Sequence, residues 1–144
     1  MHLSSVDFDH QAFIPEVFTC QGLDINPELA VRDVPEGTQS LALIIDDPDA
    51  PAGTWVHWVV FNIPSDLQTI AQNTVPGEQG LNDFGRLDYG GPCPPSGTHR
   101  YFFKIYALDK ILSFDKAPSK QMLESAMQGH IIGQAEWMGK YSKY

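Results

Sequence analysis

The sequence is short of positive charge. It has 9 lysine and arginine residues against 18 aspartate and glutamate residues, which gives a formal net charge of -9 at pH 7. Binding to nucleic acids and to anionic membrane surfaces depends on clustered lysine and arginine. The composition therefore argues against nucleic acid as a partner. Any anion site must be local and must overcome a repulsive background.

Long hydrophobic runs are also missing. The longest uncharged apolar stretch, near Trp58 to Ile63, is far too short to cross a bilayer. The N-terminal residues Met1 to Ser5 show neither the basic flank nor the apolar run of a secretory signal. We therefore expect no integral membrane association and a cytoplasmic location.

Cysteine is rare, since the chain contains only Cys20 and Cys93. Two cysteines in a sequence without an export signal predict free thiols rather than a disulfide. The histidine spacings H-x-H and H-E-x-x-H, which are typical of metal sites, do not occur. We therefore predict neither a resident metal nor another cofactor.

The sequence does contain enough apolar residues for one globular core. It has 144 residues, of which 42% are hydrophobic and 19% are charged. These values exclude a disordered chain and suit one domain. No repeat or low-complexity tract divides the sequence, so we predict a single domain over residues 1–144.

The apolar segments predict a protein made mainly of β-strands. They are rich in β-branched and aromatic residues and cover Gln39 to Asp46, Thr54 to Ile63, Arg100 to Leu108 and, as a late strand, His130 to Trp137. Turn-forming residues separate these segments, and most of the 12 glycines and 11 prolines lie between them. The pattern favours an antiparallel β-sandwich with long functional loops.

One helix is predicted near the C-terminus. Ser119 can cap its start and Gly129 can end it. A one-sided apolar stripe between these two residues comprises Met122, Leu123, Ala126 and Met127.

Titratable side chains gather where the predicted strands meet loops. They lie in three stretches, Asp46 to Pro51, Trp55 to Trp58, and Pro94 to Tyr101. Residues two apart in a strand point to the same face. This spacing places on shared faces Asp47 with Asp49, Trp55 with His57, and His99 with Tyr101. Arg100 points the other way, alongside Lys104, and we expect it to make an ion pair or hydrogen bond on the reverse side.

These residue types suit a pocket for an anion. Imidazole N–H groups and a tyrosine hydroxyl donate hydrogen bonds to phosphate oxygens, while aspartates orient the imidazoles and favour their protonated form. An aminoalkyl phosphate would also offer an ammonium to the aspartates. Two alternatives remain open: a zinc or iron site built from histidines and carboxylates, and a hydrolase with acid–base catalysis. Each residue taken singly also has a purely structural interpretation, as a core histidine, a turn or an aromatic core position.

The order of the motifs resembles one known family. The similar segments are Ile14 to Cys20, Asp24 to Pro27, Leu41 to Pro51, Trp55 to Pro64, Tyr89 to Tyr101 and Tyr106 to Asp109. Together they resemble the phosphatidylethanolamine-binding protein family, in particular its prokaryotic, Raf-kinase-inhibitor-like branch. The resemblance implies a large antiparallel sheet packed with a smaller one, one or two short peripheral helices, and a pocket for phosphate-like anions and phospholipid head groups.

The resemblance also implies a set of ligand-binding residues. They are Asp47, Asp49, Trp55, His57, His99 and Tyr101, with Gly91 and Pro92 in the pocket rim. It further implies a homodimer and makes a cis peptide before Pro51 plausible. Kinase inhibition is not carried over, because Val56 stands where eukaryotic members often have a first histidine and the chain ends soon after Tyr141. We expect binding of a small anionic or phosphorylated ligand without catalysis.

Overall fold

The computed structural model describes residues 1–143, which form two antiparallel sheets, one α-helix and one 3-10 helix. The predicted mainly β fold, with a large and a smaller sheet and short peripheral helices, is confirmed. The 3-10 helix spans Glu16–Phe18. The other elements are β1 (His2–Ser4), β2 (Leu29–Arg32), β3 (Ser40–Asp47), β4 (Trp55–Ile63), β5 (Thr69–Ile70), β6 (Glu78–Gln79), β7 (Thr98–Leu108), α1 (Lys120–Met127) and β8 (Ile131–Ser142).

The two sheets enclose the main hydrophobic core. The large sheet has the order β6-β4-β3-β7-β8, and the small sheet has the order β1-β2-β5. Every side chain of β3 is buried, as expected for a central strand. Alternate residues of β3 and β7 face the small sheet and pack with its apolar residues. From the large sheet these are Leu41, Leu43, Ile45, Phe103 and Ile105, and from the small sheet Leu3, Leu29, Val31 and Ile70.

Helix α1 covers the other face of the large sheet. Its buried residues Leu123 and Met127 pack with Ile44 and Val59 in a second apolar cluster. The Ser119 Oγ accepts a hydrogen bond from the Met122 backbone N–H at 3.2 Å, so the predicted cap is confirmed. Past the end of the helix, Gly129 has φ +82°, a conformation that glycine adopts without steric cost.

The last strand is longer than its sequence pattern predicts. We expect it to end at Trp137, whereas β8 continues to Ser142 and pairs with β7 from Ile131 to Ser142. Its outer segment has no simple apolar alternation and contains Gly139, which weakens a strand signal. Pairing with the neighbouring strand therefore determines this boundary, rather than local preference.

A β-bulge places His57 on the inner face of the large sheet. In the β3–β4 pairing, Ile45 lies opposite Trp58 and Asp46 lies opposite Val56, so His57 is the extra residue. Trp58 packs in the core between the sheets, and the His57 ring contacts the Tyr101 ring on the same side. The bulge lets two consecutive residues face inward, which regular alternation does not allow.

Two expectations about the loops are wrong. Cys20 and Cys93 form a disulfide, because the 3-10 helix and the loop before β7 meet with a Cα–Cα distance of 5.5 Å. No peptide bond within residues 1–143 is cis, so the bond before Pro51 is trans, which is the more stable form of an X-Pro bond. None of the helices in that range is both long and apolar enough to cross a membrane.

Candidate ligand-binding site

A cavity of about 230 Å³ opens at the edge of the large sheet where β3 ends and where β4 and β7 begin. These ends meet because β3 pairs antiparallel with both neighbours. The cavity is lined by Asp47, Ala50, Pro51, Trp55, His57, Phe84, Cys93, Pro94, Pro95, His99 and Tyr101. Most of the predicted site residues therefore converge here, from segments distant in sequence.

Asp47 holds the ring of His99. The His99 Nδ1 lies 2.7 Å from the Asp47 Oδ2, and both side chains are almost fully buried. The other carboxylate oxygen, Oδ1, accepts the backbone N–H of Asp49 at 2.7 Å. Both oxygens of Asp47 thus have protein partners, and the carboxylate serves to orient the imidazole.

The second imidazole is held by backbone. The His57 Nδ1 lies 2.7 Å from the Gly90 carbonyl oxygen. A carbonyl only accepts hydrogen bonds, so Nδ1 carries a proton and donates it. Burial lowers the pKa of His57 below its usual value of 6.5, partly offset by the carbonyls of Gly90 and Gly91 and by the Asp47 carboxylate. This ring is therefore neutral near pH 7.

Tyr101 completes the polar part of the cavity. Its ring packs edge-on against the His57 ring with a centroid distance of 5.2 Å. The phenol is buried and stays protonated, since burial and the nearby Asp47 carboxylate raise the pKa of Tyr101 well above its usual value. The backbone of Cys93 offsets part of this rise in pKa. The hydroxyl is thus positioned as a neutral hydrogen-bond donor.

Asp49 lies outside the cavity lining. Arg100 binds its carboxylate with Nε at 2.9 Å and Nη2 at 2.8 Å, and the hydrogen bond from this side chain lowers the pKa of Asp49 to about 2. Strand β3 ends at Asp47, so the alternation that would align Asp49 with Asp47 stops there. The predicted ion pair of Arg100 is confirmed with Asp49 as partner, and its guanidinium lies near Phe102, away from the cavity.

Gly91 and Pro92 support the rim without lining it. The Gly91 N–H donates to the Asp24 Oδ1 at 2.7 Å, and the Pro92 carbonyl accepts the Cys20 N–H at 3.1 Å. A Cβ on Gly91 would come within 2.3 Å of the Phe18 carbonyl oxygen, so this approach requires glycine. The next residues in the chain, Cys93, Pro94 and Pro95, line the cavity instead.

Phe84 is a wall residue that the sequence reasoning missed. Its ring lies edge-on to Trp55 at 5.5 Å and to His57 at 5.4 Å between ring centroids. The loop that carries it is organised by Asn82, whose side-chain amide donates to the carbonyls of His57 and Asp88 at 3.3 and 2.7 Å. The Asn-Asp-Phe-Gly stretch at 82–85 is a turn signal, but a turn signal alone does not show that the loop folds back over β4.

Comparison with known sequences decides the family. The sequence model of the phosphatidylethanolamine-binding protein family matches residues 4–142. The chain belongs to this family. A UPF0098 protein from Methanothermobacter thermautotrophicus is 46% identical to this chain, over an alignment that covers 99% of each protein. A UPF0098 protein from Aquifex aeolicus is 47% identical, with 99% of this chain and 89% of the relative covered.

Two solved structures share the fold of this family member. A crystal structure of a phosphatidylethanolamine-binding protein homologue from Chlamydia trachomatis has a TM-score of 0.96 and 42% identity, and covers 99% of this chain and 97% of that chain. The structure of YbcL from E. coli, described as a new member of the mammalian family, has a TM-score of 0.91 and 30% identity. The match covers 99% of this chain and 98% of YbcL.

The cavity of this phosphatidylethanolamine-binding family member contains little fixed charge. No lysine or arginine is among its lining residues. Besides the polar groups described above, the walls consist of Ala50, Trp55, Phe84, Cys93 and three prolines. In the part of the chain that the structure describes, no group of three or more His, Cys, Asp or Glu side chains is arranged to hold a metal ion. The site therefore offers hydrogen-bonding groups at one side and apolar contact at the other.

Proposed function

We propose that this protein binds small anionic or phosphorylated ligands, such as phosphate or a phosphoethanolamine head group, without converting them chemically. The observation that carries the proposal is the convergence of His57, His99 and Tyr101 on one cavity. Imidazole and phenol groups are suitable partners for phosphate oxygens. Membership of the phosphatidylethanolamine-binding protein family supports the same ligand class.

The size and walls of the cavity support a small ligand with a short organic group. A volume of about 230 Å³ is enough for a phosphoryl group and a few further atoms, but not for a large ligand. The indole of Trp55 and the ring of Phe84 offer apolar contact beside the polar groups. Such walls favour an organic phosphate over the bare inorganic ion.

A hydrolase is the second candidate, and the buried Asp47–His99 pair is the observation in its favour. A carboxylate that orients an imidazole is also found beside general bases. However, no serine or threonine lines the described cavity, and its one cysteine is bonded to Cys20. Hydrolysis would have to use a water molecule that the histidine activates, so we favour binding alone.

A homodimer is part of the proposal. The indole of Trp55 is 37% exposed at the cavity mouth, and a second copy covering the mouth would bury it. Sedimentation velocity tests this: a dimer is expected at micromolar protein, and a monomer at all concentrations would refute it. The sequence predicts a cytoplasmic location, whereas the disulfide is more typical of oxidising compartments, so cell fractionation is the appropriate test of location.

Calorimetric titration with phosphoethanolamine tests the ligand proposal. The intact protein is expected to bind it, and Tyr101→Phe is expected to weaken binding about tenfold, because one hydrogen bond to the ligand is lost. Tyr106→Phe is the matched control, since that residue lies on the opposite face of β7. Release of phosphate by the protein, abolished in Asp47→Asn, would favour the hydrolase; absence of binding would refute the proposal.

A further inference from the structure

The disulfide lies beside the cavity. Cys93 is partly buried and lines the cavity together with the next two residues, Pro94 and Pro95. Cys20, at the other end of the cross-link, follows the 3-10 helix and is exposed to solvent. The bond therefore joins a residue that a reagent in solution can reach to a wall of the candidate ligand site.

The chain before Cys93 does not need the disulfide to stay in place. Three hydrogen bonds attach it to the 3-10 helix and the residues that follow this helix. The Tyr89 hydroxyl donates to a backbone carbonyl at 2.7 Å, and the Gly91 N–H donates to the Asp24 Oδ1 at 2.7 Å. The Pro92 carbonyl accepts a backbone N–H at 3.1 Å. Loss of the disulfide removes none of these donors and acceptors.

The chain after Cys93 has no comparable attachment. In the part of the chain that the structure describes, residues 94–97 form no backbone hydrogen bond, and β7 begins only at Thr98. Two of these residues are prolines, which lack an N–H and hold φ at about −65°, so their positions follow that of Cys93. The disulfide is thus the anchor of residues 93–97, which we call the wall segment.

The wall segment also acts on a polar group of the cavity. The backbone of Cys93 lowers the pKa of Tyr101, against the rise that burial and the Asp47 carboxylate cause. A shift of Cys93 therefore changes the surroundings of the Tyr101 hydroxyl as well as the apolar wall formed by the two prolines.

We propose that the bond between Cys20 and Cys93 is a site of thiol–disulfide exchange that controls the cavity. In the disulfide form the wall segment is held against the cavity, and in the dithiol form it is released and ligand binding is weaker. The residues before Cys93 stay attached in both forms. The proposal concerns the regulation of the binding site proposed above and rests on that function.

A small dithiol is the reductant in this exchange. One of its thiolates attacks the sulfur of the exposed Cys20, the bond between the two cysteines breaks, and Cys93 leaves as a thiolate that takes a proton from water. The second thiolate of the reductant then attacks the reductant sulfur that is bonded to Cys20. The reductant becomes a cyclic disulfide, and Cys20 leaves as a thiolate and is protonated. Two electrons have passed from the reductant to the protein.

Calorimetric titration with phosphoethanolamine measures the effect on binding. Reduction of the protein with excess dithiothreitol is expected to raise the dissociation constant about tenfold, because binding then has to order the released wall segment. Since the coupling is reciprocal, saturating phosphoethanolamine is expected to lower the equilibrium constant for reduction by the same factor in a buffer of reduced and oxidised dithiothreitol. Equal or tighter binding by the reduced protein would refute the proposal.

A variant at the exposed cysteine removes the cross-link without changing a lining residue. Cys20→Ser is expected to bind phosphoethanolamine as weakly as the reduced natural protein and to be insensitive to dithiothreitol. Leu23→Ala is the matched control, because this residue is 74% exposed, lies three positions further along the chain and leaves both cysteines in place. It is expected to bind like the natural protein and to lose affinity about tenfold on reduction. Binding by Cys20→Ser as tight as that of the disulfide form would contradict the proposal.

Backbone dynamics test the release of the wall segment without a ligand. In ¹⁵N relaxation measurements, the order parameters of Cys93 and Ser96 are expected to be lower in the reduced protein than in the disulfide form. Gly91, which is held by Asp24, is expected to keep its order parameter. Unchanged order parameters at Cys93 and Ser96 would refute the proposal. Unfolding of the whole protein on reduction would also refute it, because the disulfide would then hold the fold rather than the wall segment.

The outcomes separate this proposal from the function on which it depends. If phosphoethanolamine binds neither form, the proposed function fails and the control of binding fails with it, whatever the relaxation data show. If both forms bind phosphoethanolamine equally, the ligand function stands and only the redox control is refuted. Weaker binding by the reduced form, together with the local change at Cys93 and Ser96, supports both.

Discussion

At the scale of single residues, the site depends on how two imidazoles are held. His99 is held by a carboxylate and His57 by a backbone carbonyl, although both have the same type of side chain and face one cavity. The sequence indicated that histidine and tyrosine would meet, because strand parity is a local property. It also indicated aspartates as partners of the imidazoles, which is the arrangement found for His99 and Asp47. It did not indicate the backbone partner of His57, since Gly90 lies 33 residues away and a carbonyl has no sequence signal.

The lowered pKa of His57 predicts a pH-dependent stability. The unfolded chain takes up a proton at this residue as pH falls below 6.5, whereas the folded protein does not until lower pH. The free energy of unfolding is therefore highest above pH 6.5 and falls on acidification, by up to about 1.4 kcal/mol per pH unit from this group. Urea denaturation at several pH values between about 7.5 and 5.5 measures this fall in the free energy of unfolding.

A matched variant isolates the contribution of this histidine. His57→Asn is expected to lose less stability than the natural protein over the same pH interval, because the unfolded variant has no proton to gain there. His130→Asn, at an exposed histidine, is expected to keep the dependence of the natural protein. Equal acid sensitivity of the His57 variant and the natural protein would contradict a depressed pKa.

Asp49 gives a second prediction at this scale, because the geometry separates it from Asp47. Asp49→Asn is expected to change the affinity for phosphoethanolamine less than threefold, since its carboxylate pairs with Arg100 outside the cavity lining. Asp47→Asn is expected to weaken binding at least tenfold, because His99 loses its orienting partner. Calorimetry on both variants measures this. A loss in Asp49→Asn as large as that in Asp47→Asn would place Asp49 in the binding machinery.

At the scale of elements, strands supply the polar residues and loops supply the walls. The apolar segments predicted β3, β4 and β7 to within two residues at each end, because central strands have a strong and continuous signal. The β-bulge at His57 and the course of the loop at 82–95 were not predictable. Both depend on hydrogen bonds between segments that are not neighbours in sequence, such as Val56 with Asp83.

Asn82 is expected to stabilise the loop that carries Phe84. Its buried side chain donates to the carbonyls of His57 and Asp88 and accepts the backbone N–H groups of Phe84 and Arg86. Asn82→Ala is expected to lower the free energy of unfolding by about 2–3 kcal/mol, because buried polar backbone groups lose their partners. Denaturation measures this loss, and amide hydrogen exchange shows whether residues 83–90 open.

A control for this variant is available in an exposed glutamine. Gln68→Ala changes a loop residue with an exposed side chain and no positive φ, and it is expected to change stability by less than about 0.5 kcal/mol. If Asn82→Ala is as stable as Gln68→Ala and its loop amides remain protected, Asn82 does not organise the wall.

At the scale of the whole molecule, the disulfide links the beginning of the chain to the cavity rim. It joins residues 73 positions apart and fixes the loop that carries Cys93 against the 3-10 helix. The prediction of free thiols is wrong because it was based on the missing export signal, which does not show which loops meet in space. The family resemblance, by contrast, gave the arrangement of both sheets correctly, since it covers nearly the whole chain.

Removing the disulfide is expected to destabilise the protein. A cross-link across 73 residues restricts the unfolded chain, and its loss in Cys20→Ser with Cys93→Ser is expected to cost about 2–4 kcal/mol of unfolding free energy. Thermal denaturation with and without a dithiol reductant measures this loss of stability. The reductant is expected to lower the Tm of the natural protein and to leave the double variant unchanged; equal behaviour of the two proteins would contradict the cross-link.

The central claim is that His57 and His99 act on one bound ligand. Titration of phosphoethanolamine into ¹⁵N-histidine-labelled protein, followed by NMR, tests this most directly. The imidazole resonances of both residues are expected to shift with one common dissociation constant, while those of His2, His10 and His130 stay in place. Saturation of the protein with ligand without any change at His57 and His99, or no binding at all, would contradict the account.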